Sequence, residues 1–420
     1  MDGLPEAGRS ARRILILKPS SLGDVVHALP LLAALRRARP DAHVSWLAAT
    51  AFAPLLEGHP LIDEVIRFDR ARLARAWRSA PAAAELAGLL SRIRRARFDL
   101  VLDLQGLFRS GWMSWVSGAP VRVGFADGRE FAPIFLTHRI SCDSVVHAVD
   151  RNLRVAHGLG WPAAPVEFPL GLREPEVEAA RVLLRGVGVG MPSDGEFVAV
   201  LPGARWRSKL WRPERWAALL DRLALEGRTA VVLGGPGDTG VLREIEAHVR
   251  RPVASLAGRT TLRELTAVLS LAGQVICTDS GPMHLAAALR RPVVAVFGPT
   301  DPRRCGPYSP TDVVGTAAGA RGMRSVGARL SEAVPIAEGA GAERAADGVA
   351  EGYSLVEEAQ RDGRRTAVLQ QRVEGTALRV VSGRVPCARC YRRECWHQSC
   401  MQRVTAGDVL EAVRATAEAG

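Results

Sequence analysis

Short apolar runs alternate with stretches of helical spacing through the first half of the chain. The runs that predict buried strands are residues 14–17, 44–48, 65–68, 100–104 and 121–125. Residues 29–38 place leucine and alanine at helical spacing and close on two arginines, which is typical of a helix. Strands that alternate with helices form a parallel sheet covered on both faces. This half therefore predicts one doubly wound α/β domain.

A second alternation of the same kind begins near residue 197. The predicted strands are residues 197–201, 230–233, 275–277 and 293–297, and the predicted helices between them are residues 214–226 and 283–289. We place the join between the two halves around residues 174–195, which contain several glycines and Pro192. The fold class is therefore α/β, with two Rossmann-like doubly wound domains that face a central cleft. Their predicted bounds are 12–175 and 176–314.

The last quarter of the chain departs from this pattern. Residues 315–383 are rich in alanine, glycine, arginine and glutamate with weak periodicity, and they predict a low-complexity insertion that is partly disordered or loosely helical. Residues 384–420 form a cysteine-rich segment followed by a helix at 405–419, where Val409, Leu410 and Val413 follow helical spacing.

Length and composition agree with two soluble domains. The chain has 420 residues, more than one core usually serves, and 47% of them are apolar. The apolar run at 14–17 is much shorter than the core of a signal peptide, and Lys18 follows it. No run approaches the roughly 20 apolar residues of a membrane helix. We therefore expect a cytoplasmic protein.

The charge balance is basic and almost entirely due to arginine. The net charge is +12, which favours an acidic partner such as a phosphate, a nucleic acid or an anionic membrane face. Of the 56 basic residues only Lys18 and Lys209 are lysines. A coding bias explains the excess of arginine, but it makes the two lysines notable, because a compact ammonium differs from a planar guanidinium.

The first motif with chemical content is Lys-Pro-Ser-Ser-Leu-Gly-Asp-Val-Val-His at 18–27, between a strand and a helix. Ser20 or Ser21 can cap the helix, and Gly23 allows a ligand to approach the backbone. Asp24 then lies near the positive end of the helix dipole, where it can accept a proton from a hydroxyl. The spacing alone is equally compatible with a carboxylate that only completes the cap.

Two further motifs lie at strand ends in the second half. Residues 201–216 form a basic loop after a strand, in which Lys209 is the best phosphate ligand and the tryptophans are typical of core packing. Residues 277–284 run from a strand through Asp279, Ser280 and Gly281 into a helix that carries His284. Exposed N–H groups at such a helix start form an anion site, to which His284 can donate. The alternative for His284 is a buried structural histidine.

Neither a phosphate-binding P-loop nor a Gly-x-Gly-x-x-Gly turn is present, which argues against a P-loop NTPase and a simple dinucleotide oxidoreductase.

Taken together, the motifs resemble those of the ADP-heptose:lipopolysaccharide heptosyltransferases, glycosyltransferase family nine. The resemblance covers about residues 12–314 and 384–414. The motifs that carry it are residues 20–30, 103–110, 147–151, 209–216, 279–284 and 297–302.

The resemblance implies a GT-B fold, with an N-terminal domain that binds the acceptor and a C-terminal domain that binds the nucleotide sugar. It implies inverting transfer of L-glycero-D-manno-heptose from ADP-heptose to Kdo-lipid A or to its heptosylated product, without a metal or other cofactor. Asp24 would be the general base. The residues implied at the donor are Lys209, Asp279, Ser280, Gly281 and His284, with Asp238 as a ribose ligand. The residues implied at the acceptor are Gln105, Arg109, His147 and Arg151.

The implied setting is the inner face of the inner membrane, which the protein would contact peripherally, and no nucleic-acid partner is implied. The cysteine-rich segment contains Cys387, Cys390, Cys395, His397 and Cys400, whose spacing is compatible with structural zinc. Reduced cysteines that pack beside the domains are the favoured alternative.

Three other functions stay open at this stage. One is a related glycosyltransferase that uses another nucleotide sugar. Another is a non-catalytic protein that binds ADP-heptose, which would share the donor loop but would not need Asp24. The third is a protein that binds an anionic surface, which would explain the charge but neither Asp24 nor Asp279.

Overall fold

The computed structural model describes residues 4–142, 147–190, 197–308, 354–361, 364–373, 376–383, 385–387 and 389–417. The chain divides between Gly171 and Leu172 into two compact units, called here the N-terminal and the C-terminal unit. None of the described helices is both long and apolar enough to cross a membrane.

The N-terminal unit contains a sheet of six parallel strands in the order β3-β2-β1-β4-β5-β6. The strands are β1 Arg13–Leu17, β2 His43–Ala49, β3 Glu64–Phe68, β4 Leu100–Asp103, β5 Val121–Phe125 and β6 His138–Ile140. The helices are α1 Leu4–Ser10, α2 Leu22–Ala38, α3 Ala53–Leu56, α4 Arg70–Leu73, α5 Ala80–Arg95, α6 Phe108–Val116 and α7 Ala148–Gly158, with a 3-10 helix at Ala132–Phe135.

Both faces of this sheet are covered because its central strands, β1 and β4, are almost entirely apolar and buried. Leu15 and Leu17 belong to a core formed with α5 and α6, which contribute Ile93 and Met113. Side chains alternate along a strand, so Ile14 and Ile16, which are also fully buried, point to the opposite face. Near-continuous apolar strands of this kind are typical of parallel sheets between two helical layers.

The C-terminal unit repeats this strand order and extends it. Its strands are β7 Phe197–Leu201, β8 Thr229–Val232, β9 Ala254–Ser255, β10 Gln274–Thr278, β11 Val293–Phe297, β12 Ser354–Arg361, β13 Arg364–Val373 and β14 Thr376–Gly383. The sheet order is β12-β13-β14-β11-β10-β7-β8-β9. The helices are α8 Glu174–Arg185, α9 Pro213–Leu225, α10 Thr239–Glu246, α11 Leu262–Leu271, α12 Gly281–Ala288, α13 Pro302–Cys305, α14 Ser399–Arg403 and α15 Ala406–Ala417, with 3-10 helices at Arg207–Lys209 and Pro236–Asp238.

The predicted fold class is confirmed in each unit. All the predicted strands are observed, and their bounds differ from the predicted ones by no more than one residue. Six strands of each sheet run parallel in the order 3-2-1-4-5-6, which is the order of doubly wound nucleotide-binding domains.

The prediction for residues 315–383 is wrong where the structure describes them. Residues 354–361, 364–373 and 376–383 form strands rather than loose helix, and β14 pairs in parallel with β11 as the sixth parallel strand of the sheet. Strands β13 and β12 continue the sheet in antiparallel fashion. Residues 315–353 lie outside the described residues. β14 forms a strand of the sheet because it carries apolar side chains that the sheet buries: Leu378, Val380 and Val381 are fully buried.

The terminal helix is part of the C-terminal core. Val409, Leu410 and Val413 of α15 pack in one cluster with Trp216 of α9 and Val381 of β14. The Gln274 side-chain amide donates to the Val413 carbonyl at 2.9 Å, which fixes α15 against the start of β10. The amphipathic helix predicted at the end of the chain is confirmed.

The predicted join at 174–195 contains a helix, α8, which packs on α11. Glu176 on α8 accepts hydrogen bonds from Arg263 on α11, with 3.0 Å from Nε to Oε1. Burial raises the pKa of Glu176, but hydrogen bonds from Arg263 and Arg173 outweigh it and lower the pKa to about 2. The carboxylate is therefore stabilised in its charged form at the α8–α11 interface.

We predict that Glu176→Gln lowers the free energy of unfolding at neutral pH by about 1–2 kcal/mol, because it leaves Arg263 with a weaker acceptor. The pKa of Glu176 is depressed in the folded protein, so its contribution is present above the unfolded value of about 4.5 and is lost as the pH falls toward about 2. Urea unfolding at pH 7 and pH 3 measures this difference. Glu178→Gln, on the exposed side of α8, is the matched control. An equal stability gap at both pH values would contradict the assignment.

Candidate active site

The loop after β1 holds Asp24 at the start of α2. Asp24 Oδ2 accepts from both the backbone N–H and the hydroxyl of Ser21, each at 2.8 Å, so the two residues form a capping box. Ser21, one of the two serines predicted to cap α2, is therefore its N-cap residue. The Asp24 side chain remains 43% exposed. The first turn of a helix favours a carboxylate in its ionised form.

Lys18 lies beneath this loop. Its Nζ donates to the Leu104 carbonyl at 2.6 Å and lies 3.8 Å from Asp24 Oδ1. The Lys18 side chain is only 9% exposed, so its charge is largely removed from water. A buried ammonium is costly unless anionic partners and hydrogen bonds compensate it.

Asp103, at the end of β4, is a second carboxylate near Lys18, and it is completely buried. Its Oδ1 accepts from the backbone N–H groups of Gln105 and Gly106 at 3.1 and 3.0 Å. Its Oδ2 has no hydrogen-bond partner among the described residues. Burial raises the pKa of Asp103 to about 6, although these hydrogen bonds and the charge of Lys18 act in the opposite direction.

A pocket opens at the carboxyl ends of β1 to β4. Ser20, Arg70, Gln105 and Arg109 contribute its polar lining, and the rest is mostly apolar. Burial and the neighbouring charge of Arg70 lower the pKa of Arg109. Two arginines close enough to repel each other beside a pocket favour the binding of an anion. The structure thus brings Gln105 and Arg109, two predicted acceptor residues, to one pocket next to the Asp24 loop.

The other two predicted acceptor residues lie at α7. His147 is its N-cap and accepts from the Val149 N–H at 3.2 Å, with its ring edge-on to His27. Arg151 binds Asp127, with Nη1 2.7 Å from Oδ2, and its guanidinium stacks on Phe125. Neither residue is among those that line the pocket of Gln105 and Arg109.

In the C-terminal unit Lys209 and Asp279 form an ion pair, with 2.6 Å between Nζ and Oδ2. The Thr300 hydroxyl donates to the same Asp279 oxygen. Asp279 is 5% exposed and the Lys209 side chain 14% exposed, and the ammonium lies 4.6 Å from the centre of the Trp206 ring. Lys209, the predicted phosphate ligand, is therefore held in place by Asp279, which is predicted to bind the nucleotide sugar.

The N-terminus of α12 begins next to this pair. Ser280 is its N-cap residue, but the side chain makes no capping hydrogen bond, and the buried Oγ has no partner in the described part of the chain. The orphan backbone N–H groups of the first turn and this hydroxyl form a set of donors that suits an anion. His284 is buried in the same helix, 6% exposed.

Asp238 lies near the carboxyl ends of β7 and β8, in a 3-10 helix. Its Oδ2 accepts from the Gly235 N–H at 2.8 Å. The carboxylate lies directly over Gly203, where even a methyl side chain would clash with it. The Gly203 carbonyl in turn accepts from the Thr278 hydroxyl at 2.7 Å, just before Asp279. Asp238 therefore belongs to the same edge of the sheet as Asp279.

The cysteine-rich segment supports the Lys209 loop from behind. The Ser208 hydroxyl donates to the Arg392 carbonyl at 2.6 Å, and the Ser208 N–H donates to the Arg393 carbonyl at 3.2 Å. The Gln398 amide donates to the Arg207 carbonyl at 3.0 Å. The segment is thus part of the framework that holds the predicted phosphate loop.

The cysteines of this segment are unbridged. Cys400 is buried, and burial raises the pKa of its thiol to about 11. Among the residues that the structure describes, no three histidine, cysteine, aspartate or glutamate side chains are arranged to hold a metal ion.

Sequence reasoning singled out Lys18 as unusual but gave it no role, and it left out Asp103, Arg70 and Thr300. Asp103 and Thr300 lay inside quoted motifs, so a signal was present. Arg70 had no local signal, because it is one of 54 arginines.

Comparison with known proteins identifies the family. The model described as glycosyltransferase family 9 (heptosyltransferase) matches residues 87–325, more than half of the chain. Lipopolysaccharide heptosyltransferase 1 of Escherichia coli K12 is 29% identical over 312 residues, which cover 72% of this chain and 92% of that protein. The enzyme of the same name from Pseudomonas aeruginosa is 28% identical over 306 residues, 72% of this chain and 82% of that protein.

Solved structures agree with this result. E. coli heptosyltransferase WaaC with ADP has a TM-score of 0.59 at 28% identity and covers 71% of this chain and 91% of that chain. A family 9 glycosyl transferase from Veillonella parvula has a TM-score of 0.62 at 23% identity, with coverage of 77% and 90%, and shows the fold alone. The fold is GT-B. The chain belongs to glycosyltransferase family 9, the heptosyltransferases, and is a glycosyltransferase.

Proposed function

We propose that this enzyme transfers L-glycero-D-manno-heptose from ADP-heptose to the inner core of lipopolysaccharide, with inversion at the anomeric carbon. Asp24 is the general base, and the acceptor is Kdo-lipid A or its once-heptosylated form. The observation that carries the proposal is the Asp24 carboxylate, oriented by Ser21 at a helix N-terminus and still 43% exposed. This exposure leaves the carboxylate accessible to an acceptor hydroxyl.

The chemistry needs two things from the protein. Asp24 takes the proton of the acceptor hydroxyl as its oxygen attacks the anomeric carbon and the bond to the diphosphate breaks. Negative charge then develops on the leaving ADP, and preorganised donors stabilise it. Lys209 and the N-terminus of α12, with Ser280 and Gly281, supply such donors, so this mechanism needs no metal ion. An ammonium has three N–H donors, and the ion pair with Asp279 uses one of them.

The remaining assignments follow the chemistry of each side chain. His284 donates to the diphosphate, and Asp238 accepts from the donor's ribose. Gln105 and Arg109 bind the acceptor in the pocket beside Asp24, where Arg70 adds a second cation for its phosphate or carboxylate groups. His147 and Arg151 belong to the acceptor side as well. The basic surface suits work in the cytoplasm at the anionic face of the inner membrane, with peripheral contact only.

A transfer assay tests the reaction itself. The enzyme is incubated with ADP-heptose and either Kdo₂-lipid A or its once-heptosylated product, and ADP-glucose and UDP-glucose serve as competing donors. We expect ADP-heptose to be used with one of the two acceptors. Binding of ADP-heptose without product on either acceptor would favour a non-catalytic binding protein, and preferential use of another donor would favour a related glycosyltransferase.

We predict that Asp24→Asn lowers the turnover number by about 100-fold or more, the usual contribution of general-base catalysis, because an amide cannot accept the proton. The side-chain oxygen can still accept from Ser21, so the helix cap is largely kept. The dissociation constant for ADP, measured by calorimetry, should change less than about twofold.

Ser21→Ala is the matched control, because it removes a capping donor but leaves the base. The backbone N–H of residue 21 still donates to Asp24 Oδ2, so this variant should lower the turnover number by less than about 10-fold, far less than Asp24→Asn. If Asp24→Asn kept its turnover within a few-fold of wild type, the base assignment would be wrong.

We predict that Lys209→Met weakens ADP binding by about 10-fold to 100-fold, the usual cost of losing a charged hydrogen bond to phosphate. The single variant also leaves Asp279 buried without its counter-ion. The double variant Lys209→Met/Asp279→Asn removes both charges and separates the two effects. If Lys209 binds diphosphate, the double variant stays weak. Recovery of wild-type ADP affinity in the double variant would show that Lys209 only balances Asp279.

A further inference from the structure

Lys18 is one of two lysines in a chain with 54 arginines, and it lies where the acceptor-side chemistry would occur. The other lysine, Lys209, is paired with Asp279. Lys18 has the same kind of partner in the N-terminal unit, because its Nζ lies 3.8 Å from Asp24 Oδ1. In the proposed function above, Lys18 has no role.

The position of Lys18 is fixed from three sides. Its Nζ donates to the Leu104 carbonyl at 2.6 Å, at the end of β4. The backbone carbonyl of Lys18 accepts from Trp46 Nε1 at 3.3 Å, on the neighbouring strand β2. Asp24 Oδ1 lies 3.8 Å from the same Nζ. An ammonium held in this way keeps one location relative to the start of α2.

A purely structural role explains this arrangement poorly. A buried ion pair rarely stabilises a protein more than apolar residues of the same volume do. Asp103 and Lys18 are both buried, and one oxygen of Asp103 has no hydrogen-bond partner among the described residues, so the burial of these two charges is not fully compensated. Of the two carboxylates near Lys18, only Asp24 is open to solvent. Asp24 is therefore the one of these two carboxylates that an acceptor hydroxyl could reach.

We propose that Lys18 is a positioning residue for Asp24, and that its ammonium, anchored on Leu104 and balanced by Asp103, holds the carboxylate in the orientation that accepts a proton. The proposal rests on the assignment of Asp24 as the base. Ser21 fixes Oδ2, and Lys18 fixes the side on which Oδ1 lies.

The charge of Asp103 has a part in this arrangement. An ammonium next to a base stabilises its ionised form and so weakens it as a proton acceptor. A second carboxylate that interacts electrostatically with the same ammonium, Asp103, moderates this effect. The trio of Asp24, Lys18 and Asp103 carries one net negative charge when both carboxylates are ionised, which keeps Asp24 both oriented and basic.

The test uses the full chain, the transfer assay and calorimetry with ADP. Lys18→Met should lower the turnover number by about 10-fold or more, because loss of orientation at a reacting group is costly. The Michaelis constants of both substrates and the ADP dissociation constant should change less than about twofold, because Lys18 would touch neither substrate. A loss of substrate affinity with an unchanged turnover number would overturn the proposal.

The double variant Lys18→Met/Asp103→Asn separates positioning from charge balance, and it leaves no unpaired charge in the core if the single variant fails to fold. We expect its turnover to stay about 10-fold or more below that of wild type. If the double variant recovers wild-type turnover, Lys18 only balances Asp103 and the proposal is overturned.

A double-mutant cycle with Asp24→Asn shows whether Lys18 acts through the base. Lys18→Met should have no further effect on the residual turnover of Asp24→Asn. An equal loss in both backgrounds would overturn the proposal while leaving the base assignment intact. Wild-type turnover in Asp24→Asn itself would instead overturn the proposed function.

Discussion

In each unit an ammonium is held against a carboxylate where a parallel strand ends and a helix begins. Lys18 lies 3.8 Å from Asp24 after β1, and Lys209 lies 2.6 Å from Asp279 after β10. All four groups lie at the carboxyl edge of a sheet whose interior cannot hold an unpaired charge. These charged groups are therefore stable there only when they are paired, and much of the surrounding structure positions the pairs.

The C-terminal unit shows how far this support extends. The Lys209 loop is fixed by hydrogen bonds from and to residues 392–398, and Trp211 in the same region donates to the Val404 carbonyl at 3.0 Å. Residues 400–413 in turn pack into the core beneath the sheet. The end of the chain therefore stabilises a loop that lies about 200 residues earlier. The position of Lys209 thus depends on a segment that carries no candidate site residue of its own.

Much of the fold followed from the sequence because burial and spacing are local signals. Six of the nine predicted strands, β1, β2, β4, β7, β10 and β11, are buried along nearly their whole length, and this pattern does not depend on their partners. β14 was missed because its short apolar run lies at the end of a long stretch of low complexity. A usable signal was nevertheless present in Asp362-Gly363, a pair typical of two-residue hairpin turns, and the register does pair Arg361 with Arg364. The pairing of Lys209 with Asp279 and the hydrogen bond from Lys18 to the Leu104 carbonyl could not be read in this way, because each joins residues 70 or more positions apart.

The two interpretations of Asp24, helix cap and base, are compatible because a carboxylate has two oxygens. Oδ2 accepts both hydrogen bonds from Ser21, which removes the rotational freedom of the side chain about its last bond. Oδ1 then lies at a defined place beside the Lys18 ammonium. A base that is already oriented loses less entropy on reaching the transition state than one on a mobile side chain. The cap is therefore part of what would make Asp24 an effective base, because the serine that begins the helix also holds one of its carboxylate oxygens.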